Sequence, residues 1–85
     1  MKTEMYSVVH YSQSYFVSSS LRLAKKFARE HQHPLVIRFE FDPTPNLDHY
    51  RCTAVYLFSR RSNHFVEYTL DEYRDMLSRN IIYDF

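Results

Sequence analysis

The chain has 85 residues and a formal net charge of +1, with no glycine, one cysteine, eight tyrosines and seven phenylalanines. Phosphate-binding loops, dinucleotide fingerprints, nucleophile elbows and EF-hand loops all require glycine at fixed positions, so the composition excludes these motifs. The low net charge disfavours a dedicated nucleic-acid-binding domain. The length predicts a single domain over residues 1–85 with one modest hydrophobic core.

Cysteine content and hydrophobicity define the expected environment of the protein. A single cysteine forms no internal disulfide and provides no cysteine pair for a zinc site. No apolar run approaches the roughly 18 residues that a membrane span requires, and residues 1–10 lack the apolar segment of a signal peptide. We therefore expect a cytoplasmic protein that has no membrane partner and needs no cofactor.

The first third of the chain predicts strand followed by helix. Residues 4–18 are rich in Val, Tyr and Phe, which indicates one long or two short strands. A helix is expected over 21–31, with Ser19 or Ser20 as its N-cap and Pro34 as the residue that stops it. Its apolar stripe is formed by Leu23, Ala24, Phe27, Ala28 and His31. Its basic stripe is formed by Arg22, Lys25, Lys26 and Arg29.

The rest of the chain predicts three more strands, a second helix and a final strand. The three strands are expected over 35–42, 52–59 and 64–69. The middle one is apolar on both faces, which is typical of a central strand. Thr69 and Glu72 have the spacing of a capping box, which predicts that a helix follows. The tail 81–85 is expected to add the last strand.

This element order, β-α-β-β-(β)-α-β, is typical of a small α+β domain in which one sheet packs with two helices as a single-sheet sandwich. A ferredoxin-like split βαβ arrangement is the commonest instance of such an order. The chain contains no internal repeat, low-complexity stretch or domain linker, in agreement with one domain.

Charge is unevenly distributed along the chain. Residues 22–38 contain five basic side chains and one acidic, whereas residues 66–85 contain five acidic side chains and two basic. Such an asymmetry favours docking on a polar partner or self-association of two copies. We therefore predict a non-enzymatic regulatory protein that binds another macromolecule, first of all a protein and alternatively a nucleic acid. The expected contact residues are Arg22, Lys25, Lys26, Arg29, Arg60 and Arg61.

A second hypothesis is a small enzyme that acts on RNA or a nucleotide. A toxin-like ribonuclease would use His, Tyr and Lys or Arg side chains as general acid, general base and phosphate ligands around the scissile phosphate. Such residue types occur together in two segments that are expected to be loops. The candidates are His49, Tyr50, Arg51 and His64.

Metal binding and nucleophilic catalysis are not expected. The conceivable metal ligands are His31, His33, Asp42, Asp48 and His49. Their spacing matches no known motif, and a zinc site needs three or four converging groups. The serines at 18–20 lack a glycine elbow and are expected to cap and solvate the helix start. Cys52 is expected to pack as a small apolar residue inside its strand.

One family resemblance is present in the chain. Residues 15–20 (YFVSSS), with Ala24 and Ala28 on the following helix, resemble the strand-then-helix segment of bacterial ADP-ribosyltransferase-like domains. Segments 36–42 and 73–80 are similar to that family's next strand and its later helix. The family's His-Gly pair, the glycine before its aromatic strand and its catalytic glutamate have no counterpart here. The resemblance therefore implies a reduced ADP-ribosyltransferase-like half that keeps the scaffold without the catalytic residues.

Overall fold

The computed structural model of the protein describes residues 3–11, 13–41 and 50–79. Within these residues a five-stranded antiparallel sheet packs with two helices in a small α+β domain, as the element pattern predicted. The elements in chain order are β1 (Thr3–His10), β2 (Gln13–Ser18), α1 (Leu21–Glu30), β3 (Leu35–Phe41), β4 (Tyr50–Ser59), β5 (His64–Tyr68) and α2 (Leu70–Ser78). Neither of these two helices has the length and hydrophobicity that crossing a membrane requires.

The strands are arranged in the order β2-β1-β3-β4-β5, with β2 and β5 at the edges of the sheet. Every neighbouring pair is antiparallel, so β2 and β3 run parallel on either side of β1. Because α1 connects β2 to β3, these elements make a split βαβ unit, and β3, β4 and β5 continue as a meander. Residues 4–18 therefore contain two short strands, and the element order begins β-β-α rather than β-α.

Some predictions concern residues beyond the described ranges. The final strand expected over 81–85 is one of them, and the ferredoxin-like arrangement requires that strand. The ferredoxin-like fold and the reduced ADP-ribosyltransferase-like half therefore both stay predictions. The single domain over 1–85 likewise stays a prediction.

α1 packs on one face of the sheet through two alanines. Ala24 and Ala28 are fully buried, in one cluster with Val8 and Val36 of the central strands. Because alanine is small, the helix axis can lie close to the sheet. Leu23 was expected in this core but is 45% exposed, because it lies at the flank of the buried side of the helix.

α2 packs on the opposite face of the sheet. Successive residues of a strand point to opposite faces, and Val55 and Leu57 of β4 face α2, whereas Tyr56 between them faces α1. Cys52 packs in the same cluster as Val55, as predicted, and burial raises the pKa of its thiol. The helix contributes Leu70, Tyr73 and Met76 to this cluster. The sheet thus separates the two helices.

Both helices begin at the caps that the sequence predicted. The Thr69 hydroxyl accepts a hydrogen bond from the Glu72 amide at 3.1 Å, and the Glu72 carboxylate accepts one from the Thr69 amide at 3.0 Å. These hydrogen bonds hold the pKa of Glu72 below its ordinary value. The N-cap of α1 is Ser20, whose hydroxyl accepts from the Leu23 amide at 3.3 Å.

α1 ends in a Schellman motif that has glutamine where glycine is usual. The His33 amide donates to the Ala28 carbonyl at 2.8 Å, and the Gln32 amide donates to the Arg29 carbonyl at 3.4 Å. Gln32 has a φ of 58°, in the left-handed region. A residue with a Cβ adopts this conformation at a cost of about 1 kcal/mol.

Gln32→Gly is expected to raise the free energy of unfolding by about 1 kcal/mol, because glycine adopts the left-handed conformation without that cost. Urea denaturation followed by circular dichroism measures the change. Gln32→Ala keeps a Cβ and is the matched control, which should stay within about 0.5 kcal/mol of the unmodified protein. Equal effects of the two substitutions would show that the backbone at this position is not strained.

Ala24→Leu is expected to lower the free energy of unfolding by about 1–3 kcal/mol, because the larger side chain forces α1 away from the sheet. The same urea assay measures the loss. Arg22→Leu, on the exposed side of the helix, should change the free energy by no more than about 0.5 kcal/mol. A loss at Arg22 as large as that at Ala24 would contradict the close packing described above.

Candidate functional site

Three chain reversals meet at one end of the sheet: the β1–β2 turn, the α1–β3 connection and the β4–β5 turn. Each contains one residue with left-handed backbone, with φ of 52° at Tyr11, 58° at Gln32 and 57° at Asn63. Asparagine adopts this conformation more readily than most residues, whereas tyrosine and glutamine are unusual there. Among the described residues these three alone have positive φ, so backbone strain is concentrated at this end of the sheet.

A cavity of about 390 Å³ opens at this end, between the C-terminus of α1 and the β4–β5 turn, and we call it the turn cavity. Its lining includes His10, Arg29, Gln32, His33, Phe58 and Arg60. The described lining residues comprise two histidines, two arginines and no carboxylate. The charge of the turn cavity therefore suits an anion.

Two histidines of the turn cavity form a hydrogen-bonded pair. His10 Nδ1 and His33 Nδ1 are 3.0 Å apart, so one ring donates a hydrogen bond and the other accepts it. Tyr15 stacks on His33 with ring centroids 4.4 Å apart, and Tyr11 stacks on His10 at 4.1 Å. Burial lowers the pKa of His33, and the nearby charges of His10 and His31 lower it further. Folding therefore makes His33 harder to protonate.

A second cavity of about 390 Å³ lies between α1 and β5, and we call it the basic groove. α1 contributes Arg22, Lys25, Lys26, Arg29 and Glu30 to its lining, and β5 contributes His64 and Phe65. Lys26 and Glu30 form an ion pair at 3.9 Å with side chains 70% and 57% exposed, and such exposed pairs are weak. The basic stripe predicted on the first helix thus lines one groove.

Arg29 lies between the two cavities and lines both of them. Its Nη2 donates a hydrogen bond to the Asn63 carbonyl at 3.1 Å, which ties the last turn of α1 to the β4–β5 turn. A guanidinium group has five N–H donors, so the same side chain can also donate to a ligand in either cavity.

Lys25 is fixed by a polar network at the base of the basic groove. Its Nζ lies 5.3 Å from the ring centroid of Tyr56. Burial, together with a hydrogen bond to Glu67, raises the pKa of Tyr56 to about 12. Arg38 donates to the Tyr56 hydroxyl at 3.5 Å and to the Thr53 hydroxyl at 2.9 Å. The Tyr56 ring is neutral near pH 7, as tyrosine ordinarily is, and it presents Lys25 with an aromatic face.

The six predicted contact residues occupy neighbouring positions in the fold. The four from α1 line the basic groove, and Arg60 lines the turn cavity beside Arg29. Arg61 follows Arg60 in the β4–β5 turn. Their role in binding stays a prediction.

Two candidates of the enzyme hypothesis, Arg51 and His64, lie far apart in the part of the chain that the structure describes. Arg51 is the second residue of β4, whereas His64 lies opposite Ser59, the last residue of that strand. At about 3.3 Å per residue, Arg51 and Ser59 are roughly 26 Å apart along the strand. Tyr50 begins β4, and His49 lies outside the described residues. An enzyme that acts on RNA or a nucleotide stays a prediction, but Arg51 and His64 do not meet at one phosphate.

The metal hypothesis concerns residues of which only part is described. In the ranges 3–11, 13–41 and 50–79, no group of three or more His, Cys, Asp or Glu side chains could hold a metal ion. The rings of His31 and His33 have centroids 6.3 Å apart. Asp42, Asp48 and His49 lie outside those ranges.

The contact between His10 and His33 has no counterpart among the sequence predictions. The two residues are 23 positions apart and meet because β1 pairs with β3, with Val9 opposite Leu35. The available signal was that each histidine lies beside a predicted chain reversal at the end of a strand. That signal is insufficient without the strand pairing, since it does not say which reversals share an end of the sheet.

No protein-family model, curated protein or solved structure matches the chain. The resemblance to ADP-ribosyltransferase-like domains is therefore untested and stays a prediction. The geometry of the chain itself defines a small α+β domain with a basic groove and an adjoining cavity lined by histidine and arginine.

The free energy of unfolding is expected to fall as the pH is lowered below about 6.5, the ordinary pKa of histidine. Folding lowers the pKa of His33, so in this range the unfolded chain takes up a proton more readily than the folded one. His33→Phe, which keeps a ring to stack on Tyr15, should flatten the dependence below about pH 6.5. Urea denaturation at a series of pH values measures it.

A second variant separates titration from ring stacking in this experiment. His33→Gln removes the titrating group and the ring together, and it should flatten the pH dependence as much as His33→Phe does. If both variants kept the full dependence, the titration of His33 would not be its source.

Proposed function

We propose that this chain is a small non-enzymatic interaction protein that binds an acidic segment of another protein in the basic groove. One observation carries the proposal. Four basic side chains of a single helix line one open groove, and its described lining includes one carboxylate, that of Glu30. These basic residues are Arg22, Lys25, Lys26 and Arg29.

The dimensions of the groove favour a short segment. α1 has ten residues and is roughly 15 Å long at about 1.5 Å per residue. About four or five residues of extended peptide cover that length at about 3.3 Å per residue. Phe65, which is largely buried, lines the groove together with the basic side chains. Aromatic and arginine side chains are the anchors that dominate the energetics of protein interfaces.

The distribution of charge favours a protein partner over a nucleic acid. Affinity for nucleic acid grows with the number of phosphates that the protein neutralises. The groove offers four basic side chains on a chain of net charge +1. On the other face of the sheet, the first turn of α2 contains Asp71 and Glu72, which repel a polyanion that extends beyond the groove. A short acidic segment contacts the basic side chains of the groove without reaching the acidic residues of α2.

A regulatory role in the cytoplasm completes the proposal, and self-association is a variant of it. The exposed acidic side chains of α2 are Asp71, Glu72 and Asp75. In self-association, these acidic side chains of one copy bind the basic groove of a second copy. Sedimentation at increasing protein concentration tests self-association, because only self-association requires a dimer or a longer assembly of this chain.

Arg22→Glu combined with Lys26→Glu is expected to weaken binding about tenfold or more, because two attractive charges in the groove become repulsive. The matched control is Arg74→Glu combined with Arg79→Glu, which makes the same change in net charge on α2. The ligands are a fluorescein-labelled Glu-rich peptide and a single-stranded RNA of equal charge. Fluorescence anisotropy measures their affinities, and melting curves establish that every variant folds.

The peptide is expected to bind the unmodified protein and the α2 variant more tightly than the groove variant. The RNA is expected to bind the unmodified protein more weakly than the peptide does. Equal peptide binding by all three proteins would contradict the assignment of the groove. Tighter binding of RNA, with a steep loss on addition of salt, would replace the protein partner by a nucleic acid. Capture from nuclease-treated lysate by the two variants then identifies the natural partner.

A further inference from the structure

We infer that the turn cavity, which adjoins the basic groove at Arg29, is a binding site for a phosphate monoester. Arg29 and Arg60 bring two guanidinium groups, and His10 and His33 bring two imidazoles, to one space of about 390 Å³. Guanidinium groups match the oxygens of a phosphate in geometry as well as in charge. Since the described lining includes no carboxylate, this positive charge is not neutralised from within the cavity.

The histidine pair favours a dianion over a monoanion. His10 and His33 share one hydrogen bond across 3.0 Å. If both rings carried a positive charge, two N–H groups would point at each other. A nearby dianion stabilises that second positive charge more strongly than a monoanion does. A phosphate monoester carries close to two negative charges near neutral pH, whereas a carboxylate carries one.

The surroundings of the pair are basic or neutral. Among the described residues, the titratable and charged groups that face it are Arg29 of α1, His31 at the C-cap of that helix, Arg60 of the β4–β5 turn, and Tyr11 and Tyr15 of the β1–β2 hairpin. None of these types of side chain is ordinarily anionic near pH 7. An anion that enters the cavity is therefore the group that favours full protonation of the pair, and phosphate binding is linked to proton uptake.

The walls of the cavity are held in position by contacts that do not involve a ligand. Arg29 is tied to the Asn63 carbonyl at 3.1 Å, and Tyr15 stacks on His33 at 4.4 Å. Gln32 closes the end of α1 with its left-handed backbone. The four cationic or protonatable side chains therefore converge on one space, as a site for a small anion requires.

Isothermal titration calorimetry with inorganic phosphate, adenosine monophosphate, O-phosphoserine and adenosine tests the inference. The phosphate-bearing ligands are expected to bind, and adenosine is not. For adenosine monophosphate and O-phosphoserine, which stay close to dianionic above their second pKa of about 6, the affinity should be several-fold higher near pH 7 than near pH 8, because binding takes up a proton. The ligand that binds most tightly shows whether the phosphate arrives free, on a nucleotide or on a protein side chain.

Three variants locate the site. Arg60→Gln is expected to weaken phosphate binding about tenfold or more, because it removes one of the two guanidinium groups. His33→Phe, which keeps the stacking on Tyr15, should abolish the pH dependence of binding. Arg74→Gln makes the same change in charge as Arg60→Gln on the other face of the sheet, and it should bind phosphate as the unmodified protein does.

Three results would overturn the inference. The first is that adenosine binds as tightly as adenosine monophosphate, and the second is that none of the phosphate-bearing ligands binds. The third is that Arg60→Gln leaves phosphate binding unchanged while the protein remains folded. The test of the basic groove uses a peptide and substitutions at Arg22 and Lys26, so the failure of one proposal can be distinguished from the failure of the other.

Discussion

The contact between two alanines of α1 and the central strands determines where both cavities lie. Ala24 and Ala28 are fully buried, so the helix lies close to the sheet and its end reaches the β4–β5 turn. There Arg29 donates its hydrogen bond to Asn63. A larger residue at either alanine would move the helix outward and separate Arg29 from that turn. An apolar contact thus positions the charged groups that a ligand would meet.

The sheet separates charge as well as two hydrophobic clusters. The basic side chains of α1 lie on one face, and α2, which has Asp71 and Glu72 in its first turn, lies on the other. The two helices therefore cannot pair their charges within one molecule. The net charge of +1 is the sum over the whole chain and does not show that basic and acidic side chains lie on opposite faces of the sheet. Because composition reports only the net charge, it disfavoured a polyanion as ligand. It gave no measure of how strongly the basic face alone attracts a small anion or a short acidic segment.

Local signals predicted the elements, whereas long-range pairing assembled the candidate site. The capping box of Thr69 and Glu72 and the basic stripe of α1 involve residues a few positions apart, so the sequence predicts them directly. His10 and His33 meet through the pairing of β1 with β3, which no periodicity specifies. The left-handed backbone at Gln32 had no signal either, because glycine, the usual marker of such a position, is missing.

A chain without glycine has fewer backbone conformations available to it in the unfolded ensemble and in its turns. Tyr11, Gln32 and Asn63 have left-handed backbone, which is strained for a residue that carries a Cβ. A ligand bound beside them would meet backbone whose freedom is already restricted, so little ordering entropy would be lost on binding. The entropic penalty would then be incurred once, during folding, and the strain that weakens the fold at this end of the sheet would make the same end a better receptor.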